Sequence, residues 1–290
     1  MKKILLFLGI LFIGLLTTGC FNNKASKGKI YTTVYPITFI TNYLYDRDDI
    51  NSIYPLDADT ENYRLTKKQI KEYANSEIFI YNGLTNEQEI AKDFINYNKR
   101  LVIIDASNGI NYQHTLEEIW LSPNNFLMLA KNIKQYLIKN TENQETIRTI
   151  ESNYKKLEDE ISIMDAELRS ISKEAKENSK SQTLVVSSNK FKYLENYGFE
   201  IVSLDETENI SENNLNNIKN NFKNEKYKYI LMPKGEENSE LINNLINEYK
   251  AEITYVNIMH TLSKDDESKN ENYLTLMNTY IDNIRSIILK

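Results

Sequence analysis

Cysteine, histidine and tryptophan are scarce in this chain: of 290 residues, one is Cys, two are His and one is Trp. A single cysteine excludes an internal disulfide. Two histidines, His114 and His260, are all the imidazole there is, so no site can be built from three. Basic excess is also missing. The formal net charge is −6, which argues against nucleic acid, since a phosphate backbone needs a basic stripe. There is no phosphate-binding glycine loop and no nucleophile elbow. Long apolar runs are absent apart from Ile4 to Leu16, too short for a comfortable membrane span of about 20 residues. What is present is a hydrophobic content of 41%, enough to bury a core.

The N-terminus is a processing signal. Lys2 and Lys3 precede the apolar run, and Thr17-Thr18-Gly19 supplies small residues before Cys20, as at a signal cleavage site. The sole cysteine therefore reads as a lipidation point that would hold the mature chain on a membrane. Residues 1–19 are the expected signal peptide and 20–28 a short, polar, basic tether.

Beyond the tether, strand and helix alternate. Lys29 to Val34, Ile78 to Tyr81 and Leu101 to Asp105 read as strands. Helices are expected after Tyr35-Pro36, from Thr66 with a capping box to Gln69, around Asn86 to Tyr97, and from Pro123, where Ser122 is the N-cap. The second alternating series runs through Thr183 to Ser187, a helix over Lys190 to Tyr197, and further pairs up to a helix ending near Ile288. Alternation of this kind predicts a mostly parallel sheet covered on both faces. Between the two series, Ile147, Ile150, Tyr154, Leu157, Ile161, Met164, Leu168, Ile171 and Ala175 recur at steps of three and four. This narrow stripe predicts one long helix from about Gln144 to Ser179. A coiled coil is the competing use of such a stripe, but no second heptad segment pairs with it in the chain. The fold class is α/β: two lobes with mostly parallel sheets bridged by one long rigid helix, with lobes at 29–141 and 181–290 and the linker helix at 142–180.

Several short segments, in this order, resemble one family. Ile30-Tyr31-Thr32-Thr33-Val34-Tyr35-Pro36, Phe79-Ile80-Tyr81-Asn82-Gly83-Leu84, Trp120-Leu121-Ser122-Pro123 and Asn272-Tyr273-Leu274-Thr275-Leu276-Met277 are similar to segments of the zinc/manganese-binding lipoproteins of bacterial ABC importers. The resemblance covers nearly all of the mature chain. It implies an extracytoplasmic, lipid-anchored, monomeric, non-enzymatic receptor that captures a divalent cation between its lobes and delivers it to a membrane permease. It also implies a metal site of three histidines and one carboxylate, whose positions match Glu61, Glu118, Asn189 and Asn257. The imidazoles are thus replaced by oxygen donors, with His114 and His260 as possible substitutes from neighbouring positions. Oxygen donors favour a hard cation such as Mn²⁺ over Zn²⁺. Two further uses of the fold stand beside this one: a metal-free descendant that binds a protein or another solute, and an assembly protein that dimerises through the long helix. Glu61 and Glu118 as a general acid–base pair have no sugar-binding feature beside them.

Overall fold

The computed structural model describes residues 29–289 apart from Asp46 and Asp48. The signal peptide, Cys20 and the tether lie outside the described residues. The N-terminal sheet contains β1 (Ile30–Thr32), β2 (Ile50–Ser52), β3 (Ile78–Tyr81) and β4 (Val102–Asp105) in the order β2-β1-β3-β4. Every pairing is parallel, with Ile30 opposite both Ile50 and Ile78, and Ile78 opposite Val102. The connecting helices are α1 (Tyr35–Tyr45), α2 (Lys67–Ala74) and α3 (Glu87–Tyr97). Parallel neighbours require crossovers, and these helices supply them. Thr66 caps α2 as its sequence predicts, with both halves of the capping box formed to Gln69. The edge strand β2 has no period-two pattern of its own and sequence reading misses it. Its only core residue is Ile50, so pairing with β1 defines it.

After β4 the chain forms the one-turn helix α4 (Glu118–Leu121) and then α5 (Pro123–Lys139). Pro123 opens α5 as expected, although the Ser122 side chain makes no capping bond. The helix α6 spans Gln144–Glu177 without interruption, and Asn143 caps it by accepting from the Glu145 and Thr146 amides. Its buried residues are Ile150, Leu157, Ile161, Met164, Leu168, Ile171, Ser172 and Ala175. This stripe packs on α1 and α5 of the first lobe and on the last helix, α10 (Tyr273–Leu289), of the second. The heptad-like pattern is therefore used within the chain.

The second sheet repeats the first: β5 (Thr183–Val186), β6 (Glu200–Ser203), β7 (Tyr229–Pro233) and β8 (Glu252–Val256) in the order β6-β5-β7-β8, all parallel. Its helices are α7 (Glu212–Lys223), α8 (Glu240–Tyr249) and α9 (Lys264–Ser268). Lys190 to Tyr197, expected as an α-helix, is a 3-10 helix over Asn189–Tyr197, closed by Gly198 at φ +89°. One core runs from the first sheet through α6 to the inner side of the second lobe. A smaller one, with Phe222, Ile230 and Leu245, lies under α7 and α8. Across the lobe boundary Phe126 stacks on Tyr273 with ring centres 3.8 Å apart. Buried aromatic stacking of this kind fixes relative orientation beyond its area.

Candidate cation cleft between the lobes

Crossovers in a parallel sheet leave the loops after the strands at one end, and ligands of open α/β sheets bind there. In both lobes these loops face the boundary. From the first lobe come the loop carrying Asp57 to Glu61 and the turn carrying Glu117 and Glu118. From the second come the segment after β5 with Asn189 and Lys190, the turn after β7 with Glu236, and residues 257–263 after β8.

The last of these straps the lobes together. The Trp120 indole N–H donates to the Ile258 carbonyl at 2.8 Å. The Tyr35 amide donates to the His260 carbonyl at 2.9 Å, and the Asp57 amide to the Leu262 carbonyl at 3.1 Å. The Thr261 hydroxyl donates to the Ala58 carbonyl at 3.3 Å. Met259 has φ +59°, a left-handed conformation that costs a non-glycine residue about 1 kcal/mol or more. Asn257 supports it by accepting the Met259 amide at 2.8 Å. The result is that Met259 is buried, while the next side chain, His260, turns into the cleft edge-on to Trp120.

There His260 Nε2 meets Glu117 Oε1 at 3.0 Å, joining strap to first lobe. Lys190 Nζ lies 3.9 Å from the same oxygen and 2.6 Å from Glu236 Oε1. The Glu117 side chain is only 8% exposed. Burial acts to raise its pKa, but the hydrogen bond and charge of His260, with Lys190 behind them, win and hold it down at about 2. For Lys190, burial acts to lower the pKa. The bond to Glu236 and the charges of Glu236, Glu117 and Glu61 outweigh it and push the ammonium up. Both groups are therefore held ionised at neutral pH.

Of the four positions matched by resemblance, three are engaged locally. Glu118 is buried and its Oε2 accepts the Gln113 and His114 amides at 3.0 and 3.3 Å. Asn189 accepts from Ser203 and donates to Thr207 and Glu208, all within its own lobe. Asn257 donates to Asp266 at 2.7 Å. Glu61 is exposed. No hydrogen bond among the described residues joins one of the four to another. His114 contributes its backbone amide to Glu118, and His260 alone of the two histidines enters the ion-pair cluster. Among the described residues no three His, Cys, Asp or Glu side chains are gathered to hold a metal as they stand. Sequence reading missed Glu117, Lys190 and Glu236. Glu117 adjoins the matched Glu118 and Lys190 adjoins the matched Asn189, so a one-residue shift of each match would have found them. Nothing marked Glu236.

Comparison with known proteins places the chain. Residues 30–287 match the family model described as "Zinc-uptake complex component A periplasmic". The chain belongs to this family, whose members are solute-binding components of metal ABC importers and act with membrane permeases. The high-affinity zinc uptake system protein ZnuA of Bacillus subtilis is 23% identical, over 94% of this chain and 91% of its own length. The metal-dependent lipoprotein YcdH from Bacillus subtilis superposes with a TM-score of 0.73 at 22% identity, covering 91% of this chain and all of that one. The Zn(II)-bound ZnuA-like domain of Streptococcus pneumoniae AdcA gives 0.70 at 20% identity, with 91% and 100% covered. Two parallel four-stranded lobes on one long helix are thus the family's architecture. No described helix is long and apolar enough to cross a membrane.

Proposed function

We propose that this chain is the extracytoplasmic receptor of a divalent-metal ABC importer with a rebuilt cleft. The cargo cation meets His260 Nε2 and the Glu117 carboxylate, with Glu61 as a further oxygen donor. The observation that carries this reading is the 3.0 Å meeting of His260 and Glu117 across the lobe boundary, where one nitrogen and one oxygen donor converge. Glu118, Asn189 and Asn257 hold the surrounding loops through their local bonds. One imidazole among carboxylates suits a hard cation, and Mn²⁺ is the expected cargo. Zn²⁺ draws much of its affinity from several N or S donors and binds more weakly here than in a histidine-rich relative. The receptor is a monomer, is not an enzyme, and is held to the membrane through a lipid on Cys20.

Titration calorimetry of the mature chain with Mn²⁺, Ca²⁺ and Zn²⁺ tests the site. Mn²⁺ binds wild type, and His260→Ala weakens it at least ~10-fold through loss of a ligand. An unchanged His260→Ala titration removes the site from these residues. For the anchor, Cys20→Ser moves the protein from the membrane to the soluble fraction, and a variant that stays on the membrane refutes lipidation. A second reading, the metal-free descendant, is favoured by Lys190, whose ammonium already neutralises the cleft carboxylates. Absence of binding by any of the three cations supports it.

A further inference from the structure

We infer that Lys190 is an internal cation occupying the cargo's place, bridging carboxylates of both lobes when the cleft is empty and competing with a divalent ion for them. The cargo half of this inference rests on the receptor reading above; the bridging half stands without it.

The geometry is that of a counter-ion. Lys190 Nζ sits 2.6 Å from Glu236 of its own lobe and 3.9 Å from Glu117 of the other, and Glu61 acts on it from the first-lobe loop. Without a cation at this point, the Glu117 and Glu236 carboxylates of opposite lobes would share one site uncompensated, and like charges so placed repel. Lysine carries a full charge on a flexible stem, so Nζ can take the position and also leave it. The stem is anchored at the start of the 3-10 helix, where the Lys190 amide donates to Ser188 Oγ at 3.4 Å. The side chain is 23% exposed, which gives it a path to solvent.

Competition follows from charge alone. A divalent ion and an ammonium cannot both lie within about 4 Å of the Glu117 oxygen without repelling strongly at the effective dielectric of a protein surface. Cargo entry therefore requires Lys190 to swing out, and the work of displacing it from Glu236 and Glu117 is subtracted from the affinity for the metal. In the empty cleft the same residue joins carboxylates of the two lobes.

The test is a comparison of wild type with Lys190→Met, which keeps a similar length without charge, and Lys190→Arg, which keeps the charge. Lys190→Gln is the second neutral variant, should Met disturb folding as judged by circular dichroism. Mn²⁺ titrations of the neutral variants give affinities ~10-fold or more above wild type, while Lys190→Arg does not tighten. In chelator the neutral variants melt below wild type, and added Mn²⁺ restores them. Equal affinity in wild type and the neutral variants, including no binding in either, overturns the competition, as does tightening by Lys190→Arg, and neutral variants that melt with wild type in chelator overturn the bridging. Binding by wild type that the neutral variants leave unchanged refutes the competition while the receptor reading survives. Binding by the neutral variants alone refutes the receptor reading, and Lys190 is then a permanent substitute for the metal.

Discussion

The back of the molecule and its cleft join the same two lobes by opposite means. At the back, α6 presents an apolar stripe that fits both lobes, and Phe126 stacks on Tyr273 beside it. Such contacts are close-packed and each depends on volume. In the cleft, Glu117, His260, Lys190 and Glu236 are held by charge and by directed hydrogen bonds. A charge cluster can exchange one cation for another, whereas a packed seam has no substitute for a missing methylene. A polar residue bonded to both lobes joins in at the back. Asp165 on α6 accepts from Tyr197 of the second lobe at 2.9 Å and from Asn124 of the first at 3.3 Å. The contrast assigns rigidity to the seam and exchange to the cleft.

The largest break in that contrast is expected at the seam. Leu168 on the inner face of α6 is fully buried, and Leu168→Ala should cost about 2–5 kcal/mol in urea unfolding. Ile163 on the exposed face of the same helix, 57% accessible, sets the control at about 0.5 kcal/mol or less. Similar costs at both sites would mean the stripe is not packed as described.

The next effect concerns a buried charge that belongs to neither region. Glu87 in the first lobe accepts from the Asn82 amide at 2.8 Å and the Tyr54 hydroxyl at 3.2 Å. Burial dominates these bonds and raises its pKa from 4.5 to about 7. The folded state thus holds this proton more tightly than the unfolded chain does. The contribution to stability is fullest below pH 4.5 and falls away as pH rises through about 7, by on the order of 3 kcal/mol. Glu87→Gln can keep both bonds, because its carbonyl accepts from Asn82 and its amide donates to the tyrosine oxygen. The variant should lose this pH dependence between pH 5 and 8 in chemical denaturation. An identical slope in both proteins would assign the dependence elsewhere.

The smallest effect sharpens the comparison at the helix itself. Asp165→Ala removes the acceptor shared by Tyr197 and Asn124 and should cost about 1 kcal/mol in urea unfolding. A loss as large as that of Leu168→Ala would mean that the seam, like the cleft, depends on polar contacts.

Most of the fold was legible because it follows from local periodicity. The stripe from Ile150 to Ala175 predicts a helix and its buried face together, and the capping box at Thr66 marks the start of α2 to the residue. The edge strand β2 was not legible, since Ser52 and Asn51 have no strand signal without β1 beside them. Nor was the 3-10 geometry of Asn189–Tyr197, which carries an apolar spacing that an α-helix would share. Gly83 shows a case between the two. Its turn is readable from Asn82-Gly83, but the need for glycine comes from the Asp105 carboxylate, which lies 2.0 Å from where a Cβ would stand.

For the cleft, the sequence by itself determined which ligands are missing, because two histidines cannot make a triple-imidazole site. The family resemblance also put Glu118 at a site position and His260 beside another. Only the tertiary structure decided which of the two carboxylates turns inward, since adjacent residues on a tight turn point to different partners: Glu118 to the amides of its own loop, and Glu117 to His260, distant in sequence. It alone brought Lys190 and Glu236 to the same oxygen-lined point. Their meeting depends on two loops and a lobe boundary set by packing behind α6, and no spacing along the chain records that distance.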